Sequence, residues 1–395
     1  MVRAGRSGCG CPYRCRPGGG QRETPIGGAV TAGPLSPPAW GADHGPNISV
    51  VVPTYNRRDL LARLLDALES QQGVSFEVIV VDDCSTDGTW EFLGRHEGTV
   101  GAAGSTAGTT VHRVRTPVNS GPATARNIGW RRASGQLIAF IDDDCVPQPG
   151  WLETLAGAFA AGNGNTTGSG RALGAGGAEV GIVQGPTLPF PEQAAGRGPF
   201  AVFVWVDRDH GRYETCNIAY RRSLLEELGG FDESFGTVGG APVWGEDVDL
   251  GWRAREAGAR FVFEPAALAH CQVHRSDYLA YLRQIRRHGG LVRNVARHPG
   301  LRRYYPAGLF LQPSHPISVL GLVGLMVLSS RAGSARRAAV AVAMTLPYVW
   351  YRTVTNPLPC RRRNRVPVLI LAWAADLADT ATLASASVRY RSFFI

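Results

Sequence analysis

Three consecutive carboxylates, Asp142, Asp143 and Asp144, follow the apolar run "LIAF" in the stretch "LIAFIDDDCVP". Like charges at the end of a strand repel one another, so this arrangement calls for a cation or a network of donors. Neighbouring carboxylates at a strand end can face a hard divalent cation, which prefers oxygen ligands and keeps positions open for phosphate oxygens. Asp144 is the leading ligand, with Asp142 or Asp143 contributing through water or binding a ribose hydroxyl. The plain alternative is a solvated acidic turn, against which stand the apolar strand before it and Pro147 after it.

Three further clusters could join this chemistry. In "VDDCSTDGT", Asp82 and Asp83 close an apolar run, and a carboxylate there can accept hydrogen bonds from a nucleobase imide or a ribose. Asp83 is favoured over Asp82 for nucleotide contact, and Asp87 suits helix capping as well as any ligand role. In "NSGPATARNIGW", the small residues Gly121, Pro122 and Ala123 open a helix whose amino terminus attracts phosphate, with Arg126 one turn in. In "WGEDVDLGWR", Glu246, Asp247 and Asp249 begin a helix that also holds Arg253. Acidic residues there stabilise the helix dipole, or one acts as the general base that deprotonates an acceptor hydroxyl. His270 and His274 are four residues apart, but "PAALAHCQVH" follows a strand. His270 is the candidate for diphosphate or metal contact, and His274 is expected to pack or lie at the surface.

The elements that must position these groups begin at Ile48. "ISVVVPTY" reads as a buried strand, "RRDLLARLLDALESQ" gathers Leu60, Leu61, Leu64, Leu65 and Leu68 on one helical face, and "FEVIVVDD" is another strand. Strands alternating with helices predict an α/β fold, a mixed, mainly parallel Rossmann-like sheet flanked by helices. Ligands bind beyond the carboxyl ends of such strands. Pro53, Tyr55 and Asn56 end the first strand, Asp82 and Asp83 the second, and Asp142 to Asp144 a later one, all on the same edge. The organisation read from this is a Gly-, Pro- and Arg-rich disordered leader over 1–46, a catalytic domain over 47–274, and a helical, basic tail with apolar segments over 275–395. Two low-complexity stretches, "GTVGAAGSTAGTT" and "AGNGNTTGSGRALGAGGAE", read as surface loops.

The ordered set "VVPTYNR", "VIVVDDCSTDGT", "NSGPATARNIGWRRASGQLIAFIDDDCVPQPGWL", "NIAYRRSLLEELGGFDE" and "GEDVDLGWRAREAG" resembles the family 2 glycosyltransferases of the GT-A fold, over about Ile48 to His274. The resemblance implies an inverting enzyme that moves a hexosyl or related sugar from a nucleotide-sugar donor to an acceptor hydroxyl with Mg²⁺ or Mn²⁺, in bacterial glycan or glycoconjugate synthesis. Carried over, it implies Pro53, Tyr55, Asn56, Asp82 and Asp83 on the nucleoside side, with Asp83 reading the base. Arg126 would lie near the nucleotide and Asp143 at the ribose, with Asp144 on the metal assisted by Asp142 and His270. Asp247, with Glu246 beside it, would be the catalytic base. Asn217 and "GGFDE" would line the sugar and acceptor side. The acidic motif is extended here to three aspartates, which leaves the roles of Asp142 and Asp143 to be divided.

Charge divides the chain. All 41 basic residues are arginine. Residues 1–274 hold 23 Arg against 29 Asp plus Glu, a net −6, and residues 275–395 hold 18 Arg against 3 Asp, a net +15. The tail therefore suits an anionic surface. Its apolar stretches 317–330 and 338–351 are shorter than the roughly 20 residues of a spanning helix. A monotopic or re-entrant association with the inner leaflet is expected, on the cytoplasmic face of the membrane, with buried soluble helices as the alternative. Three of the eight cysteines crowd into "CGCPYRC" without a second zinc-type cluster, and the other five are scattered singly, as in a reducing cytoplasm. The competing functions are a nucleotidyltransferase of related fold and a nucleic-acid-binding protein using the tail. The latter leaves the acidic clusters unexplained, and no nucleic-acid partner is expected.

Overall fold

The computed structural model describes residues 47–100, 109–161, 179–194, 197–235, 237–238, 241–242, 244–329 and 335–395. The leader, its three cysteines and most of both low-complexity stretches lie outside the described residues.

Strict alternation builds the central sheet. In β1 (Ile48–Thr54), Val50 and Val52 join a core with the leucines of α1 (Arg58–Glu69), while Val51 faces a second core on the other side. The same division splits Val78 and Val80 from Ile79 and Val81 in β2 (Phe76–Asp82). Next come α2 (Thr89–Gly94), β3 (Gly98–Val100), β4 (Thr109–Arg115), α3 (Pro122–Arg132), β5 (Leu137–Ile141), β6 (Cys145–Pro147) and α4 (Trp151–Ala161). They are followed by β7 (Val180–Gln184), β8 (Thr187–Pro189), α5 (Pro191–Ala194), β9 (Asn217–Arg221) and α6 (Arg222–Leu228). The pair β10 (Thr237–Val238) and β11 (Ala241–Pro242) leads to α7 (Glu246–Glu256), β12 (Arg260–Phe263) and β13 (Ala269–Cys271).

The eight-stranded sheet runs β12-β7-β9-β5-β1-β2-β4-β3. Its centre, β4-β2-β1-β5, is parallel, and β9 enters antiparallel between β5 and β7. The fold is thus the expected mixed, mainly parallel α/β sheet covered by helices on both faces. Register pairs Thr54 with Asp82 and Asp82 with Arg115, so the strand ends do meet on one edge.

A small sheet, β6-β13-β8, stands on that edge and pairs Cys145 with Cys271. Their sulfurs form a disulfide across 126 residues, which corrects the reading of these two cysteines as unpaired. The partnership depends on antiparallel register, which spacing in the sequence does not reveal. Cys84, Cys216 and Cys360 are free among the described residues.

The tail folds as α8 (Tyr278–Ile285), α9 (Gly289–Arg297), α10 (Ser314–Ser329), α11 (Ala335–Trp350) and α12 (Arg365–Arg389). The boundary at 274 is not a break in packing: Val292, Val295, Leu383 and Phe394 share one core with Phe140, Phe231 and Trp252. Helices α10 and α11 have 16 residues each, about 24 Å at 1.5 Å per residue and short of a bilayer core of about 30 Å. Residues Arg362–Arg389 form a helical stretch of 28 residues that holds an 18-residue window of mean hydropathy 1.5, long and apolar enough to cross a membrane by length and composition. Two of the tail's three acids, Asp376 and Asp379, are buried on this helix. Asp376 accepts from the Tyr348 hydroxyl at 2.7 Å and from Arg352 Nε at 3.0 Å.

Candidate active site

A cleft of about 760 Å³ opens along the carboxyl edge of the sheet. Pro53, Tyr55, Asp83, Arg126, Asp142, Asp143, Asp144, Glu246 and Asp247 line it.

The triple aspartate is held by two arginines. Arg57 Nη1 donates to Asp143 Oδ1 and Asp144 Oδ2, both at 2.9 Å, and Thr54 Oγ1 donates to Asp143 at 2.7 Å. Arg126, at the first turns of α3, donates to Asp142 at 2.8 Å and to Glu246 at 3.0 Å. One guanidinium thereby ties the strand end to the start of α7. Burial drives the Asp143 carboxyl up to about 6 against the pull of Arg57, with repulsion from Asp144 adding to it. Burial works the same way on Asp144, but the hydrogen bond from His274 and the charge of Arg57 outweigh it and hold that carboxyl below its ordinary range.

His274 Nε2 lies 2.7 Å from Asp144 Oδ2, and His274 lines the cleft. His270 does not: its ring stacks against Phe190 and its Nδ1 contacts Gln148 Nε2 at 3.1 Å. The histidine beside Asp144 is therefore His274, and His270, the sequence candidate, lies outside the cleft lining. The reason is register. β13 pairs Cys271 with Cys145, and Gln272 N extends the ladder to Asp144 O at 2.9 Å, so the chain passes Asp144 only after β13 ends. A carboxylate and an imidazole presented together form a donor set that fits Mn²⁺ well and Mg²⁺ less well.

Asp83 faces the cleft but is also a brace: Thr116 Oγ1, Ser120 N and Gly121 N each donate to it at 2.8 Å. Gly121, at φ 88°, adopts the left-handed backbone that lets its N–H point there before α3 begins. At the start of α7, Glu246 is neutralised by Arg126, whereas Asp247 has no cationic partner among the described residues. Burial, then repulsion from Glu246 and Glu214, raises the Asp247 carboxyl well above its ordinary range. Gly245 precedes it at φ 121°, where a Cβ would lie 2.2 Å from Asn294 Nδ2.

Several sequence candidates are structural instead. Asp82 is fully buried, accepting from Ser85 N at 3.0 Å with Arg115 Nε at 3.2 Å. Asn56 accepts from Thr86 N at 2.7 Å and braces the loop outside the cleft lining. Asn217 is buried among Trp151, Pro186 and Ala267, whose polar groups use up its amide. In "GGFDE", Phe231 is core, Asp232 pairs with Arg297 at 2.7 Å and Glu233 accepts from Asn127 at 2.7 Å. Asp249 faces Arg253 and Arg297 at 2.7 and 2.8 Å, away from the cleft. Asp87 caps α2 through Thr89 N at 3.1 Å. A polar residue at a strand end can bind a ligand or satisfy the fold, and only burial separates the two.

Residues that sequence reasoning missed are Arg57, Glu214, Trp244, His274, Arg287 and His288, all lining the cleft. Arg57 carried a signal, since an acidic triplet requires a counter-charge and "YNRR" ends the neighbouring strand.

Sheet order, edge cleft and acidic strand end define an α/β scaffold with a polar cleft at the carboxyl edge of its sheet. Residues 49–229 match the family model for glycosyl transferase family 2. The pre-mycofactocin glycosyltransferase of Mycobacterium tuberculosis is 28% identical over 374 residues, covering 89% of this chain and 66% of the relative. The validoxylamine A glucosyltransferase of Streptomyces hygroscopicus subsp. limoneus is 29% identical over 259 residues, covering 57% of this chain and 51% of the relative. The chain thus spans less than two thirds of the length of these relatives. A mannosyltransferase from Pyrobaculum calidifontis, solved with GDP-Man and Mn²⁺, superposes with a TM-score of 0.54 at 20% identity, covering 87% of this chain and 88% of the other, and shares the fold.

Proposed function

We propose that this protein is an inverting, metal-dependent glycosyltransferase that moves a sugar from a nucleotide-activated donor to an acceptor hydroxyl, in bacterial glycan or glycoconjugate synthesis. The observation that carries the reading is the Arg126 bridge between Asp142 and Glu246, which ties the acidic strand end to the start of α7 in one cleft lined by Asp144, Asp247 and His274.

Asp83, Pro53 and Tyr55 hold the nucleoside. Asp144 and His274 hold Mn²⁺ or Mg²⁺, which supplies positive charge for the leaving diphosphate. The amino terminus of α3, facing the same edge, adds backbone donors to that charge. Asp247 accepts the proton of the attacking hydroxyl as the hydroxyl displaces the diphosphate at the anomeric carbon, and a single displacement inverts configuration. A raised carboxyl pKa makes Asp247 a stronger base once ionised. Arg57, which pairs with Asp143 and Asp144, would add a second positive charge beside the diphosphate.

The tail supports placement at a membrane surface. Val323, Met326, Val342, Leu346, Trp350 and Ile370 are exposed on α10, α11 and α12, and Arg361, Arg362 and Arg363 lie just before α12. Apolar side chains flanked by arginines suit an anionic inner leaflet on the cytoplasmic side.

The test is a screen of nucleotide sugars for binding with and without Mn²⁺. Saturable, metal-dependent binding of one donor is expected, and Asp144→Ala should abolish the metal dependence. Release of inorganic diphosphate in place of a nucleoside diphosphate would identify a nucleotidyltransferase.

A further inference from the structure

Part of the cleft wall is built differently from the carboxylate end. Val204, Trp205, Trp244, Ile285, Leu291 and Leu311 make it apolar. Two basic side chains, Arg287 and His288, enter it from the turn between α8 and α9.

Arg287 differs from the other cleft arginines. Arg57, Arg126 and Arg212 each pair with a carboxylate, at 2.9, 2.8 and 3.1 Å. Among the described residues, Arg287 forms no such pair; its guanidinium stacks 4.9 Å from the ring centre of Trp244. Burial pulls this guanidinium below its ordinary pKa, a penalty only partly offset by the charge of Glu246, which Arg126 already neutralises. A half-buried cation without a counter-charge is costly, and an anionic ligand removes that cost.

His288 is fixed from the tail. Its Nδ1 lies 2.9 and 3.0 Å from the two carboxylate oxygens of Asp379 on α12, 91 residues away. A carboxylate only accepts, so Nδ1 carries a proton and the ring orientation is set; as imidazolium the ring also offers an Nε2–H donor to an anion. Asp379 is itself buried and also meets His315 of α10 at 3.3 Å. Asp379 thus acts as a positioning residue, bringing a tail helix into the construction of the cleft.

We propose that Arg287 and His288 form a subsite for an anionic group, a phosphate or carboxylate, carried by the acceptor, with Trp244 as the adjoining flat surface. The assignment of this wall to the acceptor rests on the donor and base placement above. The donor diphosphate has its own partners at Asp144, His274 and α3.

The test uses the full chain with Mn²⁺ and a saturating nucleoside diphosphate, so that the donor end is filled. Methyl phosphate is then titrated, read by calorimetry and by the NMR shift of the His288 Cε1 proton. Wild type should bind it saturably, and Arg287→Gln and His288→Gln should each weaken binding about tenfold, the range of one charge-assisted hydrogen bond. Asp379→Asn should weaken it less and alter the starting His288 resonance, whereas Asp379→Glu should restore both. Donor affinity should not change in Arg287→Gln. The proposal is overturned if methyl phosphate fails to bind, if binding is indifferent to Arg287→Gln, or if Arg287→Gln weakens the nucleotide sugar instead. Failure of every nucleotide sugar to bind would separately remove the transferase reading.

Discussion

The carboxylate edge and the helical tail solve the same electrostatic problem in opposite ways. At the edge, three adjacent carboxylates line a cleft, Asp143 buried and Asp142 and Asp144 partly open, and all three are held by Arg57 and Arg126. In the tail, two of three acids are buried and satisfied internally, while its arginines include the exposed set Arg361 to Arg363. Charge that must meet a ligand stays in reach of solvent, and charge that must hold a helix in place is sealed off. The net +15 of the tail therefore says little about its interior.

The largest effect should come from the edge. Asp247→Asn should lower the transfer rate by about 10²–10⁴-fold, the range of a general base, with donor affinity retained in a metal-supplemented binding assay; retained turnover would remove Asp247 from the chemistry. In the tail, Arg352→Ala leaves Asp376 buried without its cation and should cost about 3–5 kcal/mol, read as the denaturation midpoint of the whole chain. An unchanged midpoint would make the tail a loose appendage and break the contrast.

A smaller effect separates the two regions by pH. Asp143 is raised from an ordinary 3.8 to about 6, so the folded protein holds this proton more tightly than the unfolded chain. Its contribution is full below pH 4 and is lost as pH rises through 6, up to about 3 kcal/mol in the metal-free protein. Asp143→Asn should remove that slope from the difference between variant and wild-type stability curves, and a slope of opposite sign would contradict the burial argument. The smallest change is expected at the surface: replacing Arg361, Arg362 and Arg363 by Gln should weaken sedimentation with anionic vesicles by about 1 kcal/mol per arginine. Indifference of the wild type to such vesicles would end the membrane reading.

Much of the edge was legible because its signals are local. An apolar strand followed at once by aspartates, or a helix opening with Gly121 and Pro122, announces its geometry within a few residues. Asn217 and Asp82 misled because the same strand-end position serves a buried hydrogen-bond network. His274 and the Cys145–Cys271 bond were hidden for another reason, since each depends on how β13 registers against β6. The tail was hardest to read, because the partners of Asp376 and Asp379 are many residues away and amphipathic patterning does not disclose buried pairs.

The separation of 91 positions from His288 to Asp379 also bears on synthesis. A chain made from its amino terminus has the complete triple aspartate, Arg57 and Arg126 in hand while α12 is still unmade, and contacts of long separation form late. His288 can be locked only when α12 arrives, so a nascent chain should become able to hold a nucleotide before the wall that carries His288 is finished. The order of assembly would then match the order of use, donor pocket first and that wall last.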